Sequence, residues 1–334
     1  MRKPNLLNMS KRKPYLCFIA SAFCVVLLAC TDLCCGPLGL RELVEEGLAR
    51  EILLSVRLPR VLTAMLAGSC LALSGVQMQA VFRNPLADPH IMGISAGAGT
   101  GAAAATVLAS SALAAGGRTF IAASSFIGAM VPSVVMATVS HRVRNGGTLL
   151  LFGVMMGFIF SAATSLIAYG ADSESLKMYY SWTAGSFSGR SAPDLWMMGA
   201  ALAAGLAIAL GTGKGLDALM FGDSYATLAG VPLKKTRTAA ILSCCLMTGA
   251  VTAFCGPVGF IGMTAPHVAR GIFRTTVHRS VIPASLLTGA AMALIADILG
   301  QIWSRPLPAG STAALIAIPM VLVMLIRGRN GITA

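Results

Sequence analysis

TAAILSCCLMTGAVTAFCGPVGFIGMTAP, residues 238–266, contains no Asp, Glu, Lys or Arg. As one helix these 29 residues would run about 43 Å. That is well beyond the roughly 30 Å hydrocarbon core of a bilayer. The stretch also holds Cys255-Gly256-Pro257-Val258-Gly259, a helix-breaking run. It therefore reads as two membrane spans, at about 238–255 and about 258–276. The second is unusual, with Pro266, His267, Arg270 and Arg274 in its later half.

Eight further charge-free stretches lie outside it: 14–31, 61–82, 91–117, 119–140, 145–171, 195–213, 280–296 and 306–326. Each is long enough for a transmembrane helix. Only 11% of the 334 residues are charged and 56% are hydrophobic, against about 25% charged in an ordinary soluble domain. A soluble enzyme is excluded, and a nucleic-acid binder is disfavoured despite the net charge of +13, because basic excess in a membrane protein sets orientation. A β-barrel would alternate over roughly ten-residue strands, which these runs do not. The fold expected is an all-α membrane protein of about ten transmembrane helices.

An even number suits the ends of the chain. Arg2, Lys3, Lys11, Arg12 and Lys13 stand at one, Arg327 and Arg329 at the other. The positive-inside rule puts both termini in the cytoplasm. The division expected is a single transmembrane domain over 1–334. It has a basic tail at 1–15, a membrane part at 16–327, an outer loop at 32–60 and a cytoplasmic loop at 212–237. Within the last, Gly222, Gly230 and Pro232 punctuate one or two short helices over 216–231. These read either as an amphipathic surface loop or as a docking element for a cytoplasmic partner.

Pro89-His90-Ile91 opens a span in the first half, and Pro266-His267-Val268 lies in a broken span of the second. Breaks at corresponding positions of two halves point to an inverted-repeat transporter. The nine cysteines form no disulfide framework or zinc spacing. Leu27-Leu28-Ala29-Cys30 has the look of a lipoprotein cleavage site, but an uncleaved first span is preferred. Ionisable groups inside the spans are few: Asp297, and His267 with Arg270 one turn on. No His-Glu-x-x-His and no phosphate-binding Gly-x-x-x-x-Gly-Lys-Ser/Thr occurs. Neither metal, nor catalytic residues, nor an ATP site of the chain's own is expected. Met155 and Met156, with Gly153 and Gly157, read as a soft apolar channel lining or as core filler. Arg57 and Arg60 lie at an outer span end, where topology gives no reason for arginine. They either pair with Glu42, Glu45, Glu46 or Glu51 or meet an outside partner.

Together several segments resemble the FecCD-type permeases of ABC importers for iron-siderophores, haem and vitamin B12. The resemblance covers about 55–327. It rests on Arg57-Leu58-Pro59-Arg60, Gly68–Gly75, Gln79, Arg83-Asn84-Pro85-Leu86-Ala87-Asp88-Pro89, Leu149–Gly153, Trp182–Ser186, Gly256–Arg270, Ala296-Asp297 and Leu307–Gly310. It departs where Pro306 replaces a usual Glu and where Ala317-Ile318-Pro319-Met320 replaces Gly-x-Pro-x-Phe.

The resemblance implies a type II importer permease with ten spans, paired with a second permease, most simply a homodimer. The pathway lies at the dimer interface. A cytoplasmic ABC ATPase dimer hydrolyses ATP, a periplasmic or lipid-anchored binding protein delivers the ligand, and no cofactor is bound covalently. It implies docking of the binding protein at Arg57, Arg60 and Arg305, and a cytoplasmic gate at Asn84, Pro85 and Leu86, with Gly146 and Gly147 as the alternative. ATPase coupling falls to Leu219, Gly222, Asp223, Ala226 and Gly230. The translocation path takes Gln79, Phe152, Met155 and Met156, and the structural motif takes Gly259, Gly262, Pro266, His267, Arg270 and Asp297. The function expected is import of an iron chelate or cobalamin across the inner membrane. An ion- or proton-coupled secondary transporter is the alternative, weakened by the scarcity of carboxylates in the spans.

Overall fold

The computed structural model describes residues 14–36, 49–108, 110–143, 146–303 and 306–331. It is all helical among these. α1 is Pro14–Cys34. α2 is Leu58–Phe82, preceded without a break by a π-turn, Leu53–Arg57, and a short turn of helix, Ala49–Ile52. After a 3₁₀ turn, Pro89–Met92, come α3 (Ile94–Ala103), α4 (Ser110–Ser140), α5 (Gly146–Tyr169) and α6 (Ser173–Ala184). α7 (Ala192–Met220), α8 (Asp223–Leu228), α9 (Leu233–Cys255), α10 (Ile261–Phe273), α11 (His278–Gln301) and α12 (Ala309–Gly331) complete the chain.

Seven of these segments are long and apolar enough to cross a membrane among the described residues, and part of α12 is a shorter apolar helix. The other two of the ten expected spans, α3 and α10, have only 10 and 13 residues. Both follow a Gly/Pro break, in corresponding positions of the two halves. The break in 238–266 falls where the sequence places it. α9 ends at Cys255, and Gly256 takes φ 76°, with its would-be Cβ only 2.4 Å from the Trp182 carbonyl. No L side chain fits that position.

Three expected boundaries move. The 91–117 span ends earlier: α3 passes into a π-turn at Ala104–Leu108, and α4 starts at Ser110 and kinks at Gly117. The outer loop is shorter than 32–60, because helix runs to Cys34 and resumes at Ala49. The cytoplasmic loop is shorter than 212–237, because α7 continues to Met220 and α9 begins at Leu233.

Contacts between connections sort the helix ends into two groups. One holds the turn after α2, the α4–α5 turn, α8 and the start of α11, joined by Arg83–Asp223, Thr238–His141 and Asp217–His278 contacts. The other holds the end of α1, the start of α2, the 185–190 loop, the α9–α10 break and the end of α11. Helices therefore alternate in direction, and the two groups are called inner and outer after the positive-inside assignment.

α2 is the central helix. It packs on α11, α7, α9 and α10, and is buried along most of its length, whereas α5 has few fully buried residues and shows an exposed apolar face. Small residues permit the central contacts. At the α2–α10 crossing a Cβ on Gly75 would lie 1.7 Å from the Gly262 carbonyl. At the α2–α11 crossing one on Gly68 would lie 2.1 Å from the Gly289 carbonyl. Hydroxyls bond backbone carbonyls between these helices: half-buried Ser69 of α2 to Leu286 of α11 (3.2 Å), and buried Thr288 of α11 to Ala265 of α10 (3.1 Å). α6 stands outside this core on the outer end. The Asp172 carboxylate caps it by accepting the Glu174 and Ser175 N–H bonds (3.1 and 3.2 Å). Hydrogen bonds from Ser175 hold that carboxyl below the ordinary range.

Candidate functional site

The two Pro-His segments meet each other. His90 Nε2–H donates to the Val258 carbonyl in the α9–α10 break (2.8 Å), and its Nδ1 accepts the Ser95 hydroxyl. His267 Nε2–H donates to the Pro85 carbonyl in the turn after α2 (2.7 Å). Each histidine thus ties down the chain break of the other half. The Pro89 ring fills the space beside Gly262, where a Cβ would come within 2.7 Å.

Between the same helices Gln79 makes a bridge. Its Nε2 donates to the Met263 carbonyl (2.9 Å), and Arg270 donates to its Oε1 (2.6 Å). Gln79 is buried, so it is a strut between α2 and α10 rather than a residue of the translocation path. Pro266 is buried in α10, and Gly259 lies in the break before it. The turn Asn84-Pro85-Leu86 is braced by the Asn84 side chain accepting the Leu86 N–H (2.9 Å), and Leu86 stays exposed. Gly146 packs on the Phe82 backbone at the end of α2, so both candidate gate segments share one corner of the inner end, with Gly147 next in α5.

A joint sits beside that corner. Asp223, which opens α8, accepts two bonds from Arg237 (2.8 and 3.0 Å), and Arg83 lies 3.6 Å away. Arg83 immediately precedes Asn84 and closes α2 with φ 50°. The coupling residues named from sequence divide in two. Leu219 and Ala226 point inward and are buried, while Gly222 and Gly230 take φ 108° and 75° and set the ends of α8. What α8 and the turn before it display is Phe221, Tyr225 and Leu228, which are 75%, 54% and 89% exposed, with Phe221 and Tyr225 rings 5.2 Å apart. Glycine punctuation marked the helix, but the amphipathic spacing of Phe221, Tyr225 and Leu228 was the signal for its outward face.

At the outer end Arg57 and Arg60 are not rim charges. They are 3% and 6% exposed. Arg57 donates to the Leu33 and Cys34 carbonyls (2.9 and 3.3 Å), capping α1. Arg60 donates to the Asp32 and Cys35 carbonyls (both 3.2 Å) and pairs with Asp297 (3.1 Å) and Asp32 (3.7 Å). Gln301 donates to both aspartates, at 2.8 Å to Asp32 and 2.9 Å to Asp297. The docking role expected of the two arginines gives way to a buried clamp of α1, α2 and α11. Asp32 and Asp297 are the carboxylate partners of Arg60; Glu42, Glu45 and Glu46, expected as loop partners, lie outside the described residues, as does Arg305. Asp32 and Gln301 were not nominated, although Asp32 is the first charge after the first apolar run.

Of the path residues on α5, Met155 is exposed, Phe152 is half-buried, and Met156 packs near Gly93. They share the helix with Leu151, Phe158, Ile159 and Leu166, all largely exposed. No group of His, Cys, Asp and Glu suited to a metal is found among the described residues.

This architecture, with two crossed breaks and an exposed inner knob, is that of the permease subunit of an ABC importer. The chain belongs to the FecCD transport family, whose profile matches residues 18–327. The vitamin B12 import system permease protein BtuC of Citrobacter koseri is 33% identical over 277 residues, 82% of this chain and 83% of that protein. That of Klebsiella pneumoniae subsp. pneumoniae is 34% identical over 277 residues, 82% of each chain. A metal-chelate-type ABC transporter solved in an inward-facing conformation matches with TM-score 0.84 and 26% identity, over 94% of this chain and 99% of that one. PsaBC from Streptococcus pneumoniae in complex with Fab shares the fold, with TM-score 0.56 and 17% identity over 82% and 93%. The chain is thus a multi-pass membrane permease and not an enzyme, and the secondary-transporter alternative falls away.

Proposed function

We propose that the chain pairs with a second copy of itself in the inner membrane and imports an iron chelate, as siderophore or haem, or cobalamin. In this reading both termini are cytoplasmic. ATP is hydrolysed by a separate ATPase dimer, and a periplasmic or lipid-anchored protein hands over the ligand. The observation that carries the reading is the inner knob. Phe221, Tyr225 and Leu228 are exposed beside the charged Asp223–Arg237 joint, as suits seating in a partner's cleft. Asp223 ties that helix to Arg83, next to the candidate gate turn. Force applied to α8 therefore has a short path to Asn84-Pro85-Leu86 and, through His267, to α10. The relatives named for vitamin B12 import and the metal-chelate-type structure support the cargo class.

The test is uptake into vesicles holding the chain with its ATPase and binding protein. Labelled ferric siderophores, haem and cobalamin are offered with and without ATP. ATP-dependent accumulation of one of them supports the reading. Uptake driven by an ion gradient without ATP sinks it.

A further inference from the structure

A cleft of about 1050 Å³ opens on the outer end between α4 just past its Gly117 kink, α6 and the 186–190 loop. Its charged lining is Arg118, Lys177 and Arg190 against a single carboxylate, Glu174, with Met178 and Trp182 as apolar wall. None of the three cations is within ion-pair distance of a carboxylate among the described residues. Backbone carbonyls hold two of them in place: Arg118 donates to Gly189 (3.5 Å) and Arg190 to Ser188 (3.2 Å). The loop is shaped for this. Gly189 has φ 73°, and a Cβ there would stand 2.5 Å from Arg118 Nη1. The Trp182 indole N–H has no acceptor among the described residues.

We propose that this cleft receives the anionic face of a metal chelate, its carboxylate or phenolate oxygens, as the cargo enters the permease. The inference rests on the importer reading above and narrows its cargo to anionic chelates over neutral ones. Three unpaired cations facing one carboxylate would make the cleft positive. Such a funnel raises the capture rate of anions and does so less at high salt. Guanidinium forks match carboxylate oxygens with two parallel bonds. The volume is at the upper end of small-molecule pockets, which suits a large chelate. A neutral cargo would leave the three charges unanswered. An acidic protein surface would supply the same charge, but a cleft of this volume with an apolar wall at Met178 and Trp182 favours a small molecule.

The test uses the full chain in nanodiscs of phosphatidylcholine, without ATPase or binding protein. A trianionic ferric tricatecholate and a neutral ferric trihydroxamate are titrated while tryptophan fluorescence is followed, with Trp182→Phe as the control for the reporting ring. The anionic chelate should bind, and more weakly as salt rises. Lys177→Gln with Arg190→Gln should weaken it about tenfold or more and leave the response to the neutral chelate unchanged. Equal response to the two chelates, or full anion affinity in the double variant, overturns the proposal. So does absence of chelate binding where an acidic protein partner binds and loses affinity in the same variant. Failure of the importer reading is seen separately, as absence of ATP-driven uptake of any chelate in vesicles.

Discussion

At its outer end α2 brings Arg60 against Asp32 and Asp297, while Arg57, one turn earlier in the chain, holds the α1 carbonyls; just past its inner end Arg83 stands beside Asp223, which Arg237 also grips. Both clusters set arginines against aspartates, yet their surroundings differ. The Arg60, Asp32 and Asp297 side chains are 7%, 0% and 11% exposed, while Asp223 is 28% and Arg83 37% exposed. The outer cluster ties three spanning helices together with its charges out of water. The inner one ties a surface helix to the chain beside the candidate gate, with water at hand. A buried ion pair is costly to break from one side, whereas an exposed one is cheap to break and remake. The outer cluster is therefore a fixed clamp, and the inner one is suited to a joint that shifts when a partner moves.

The largest effect should come from Arg60→Ala. It would leave Asp32 and Asp297 buried side by side without their shared cation, at a cost of about 3–5 kcal/mol. The expected outcome is a large fall in thermal midpoint and membrane yield. Adding Asp32→Asn and Asp297→Asn should recover much of it. A variant as stable as the wild type would show that the cluster is not a clamp.

Next in size is Gly75→Ala, which lies between the two clusters along α2. Its new Cβ would meet the Gly262 carbonyl, a backbone atom that cannot swing away. Overpacking of this kind costs about 1–3 kcal/mol, and the upper end is expected because α10 as a whole must shift. Since α10 carries His267 and its bond to Pro85, the same variant should also loosen the inner turn. That is measurable as faster amide exchange over 83–88. A loss of stability with unchanged exchange there would confine the crossing to a packing role.

How much of this was legible in the sequence follows from what charge does in a membrane. Charge-free runs marked the seven helices long and apolar enough to cross a membrane, and the shorter α3, α10 and α12, because lipid tolerates no unpaired ion. The break at 255–259 was readable because glycine and proline act locally. The misplaced outer and cytoplasmic loop bounds share one cause: each charge was treated as the end of a span. α7 runs past Lys214 and Asp217 because Asp217 accepts the His278 backbone N–H at 2.9 Å and meets its ring at 2.6 Å. Helix likewise runs through Arg50, Arg57 and Arg60, the last two answered by α1 and α11. A buried partner far along the chain removes the boundary a charge would otherwise mark, and no local pattern shows the partner. Gln79 was misplaced for the same reason, since Met263 and Arg270 lie far away in sequence.

Asp223→Asn should cost about 1 kcal/mol, the scale of a half-exposed charged hydrogen bond that keeps neutral acceptors. Its effect on transport should be larger than its effect on stability. With α8 no longer gripped by Arg237 and Arg83, the ATPase should still bind through Phe221, Tyr225 and Leu228 but hydrolyse ATP with less uptake per turnover. Side-by-side measurement of ATPase rate and uptake in vesicles checks this. An unchanged ratio of uptake to hydrolysis would reduce the inner cluster to a helix cap.

The smallest expected change in stability, and the sharpest test of the comparison, is Arg83→Gly. Arg83 holds φ 50°, a left-handed conformation that costs a side-chain-bearing residue about 1–2 kcal/mol and glycine almost nothing. The ion pair it forms with Asp223 is 3.6 Å long and over a third exposed on the arginine side, so it contributes no more than about 1 kcal/mol. Relief of backbone strain should therefore roughly offset the lost pair, and the thermal midpoint should hardly move. Coupling should nevertheless weaken, because the remaining Arg237–Asp223 pair links α8 to α9 but not to the turn Asn84-Pro85-Leu86. Arg83→Lys keeps the charge and should retain more of the coupling than the glycine variant, at some cost in stability. If Arg83→Gly keeps full uptake per ATP hydrolysed, α8 must reach the gate by another route, and the burial of Ala226 between α7 and α9 becomes the contact to alter next.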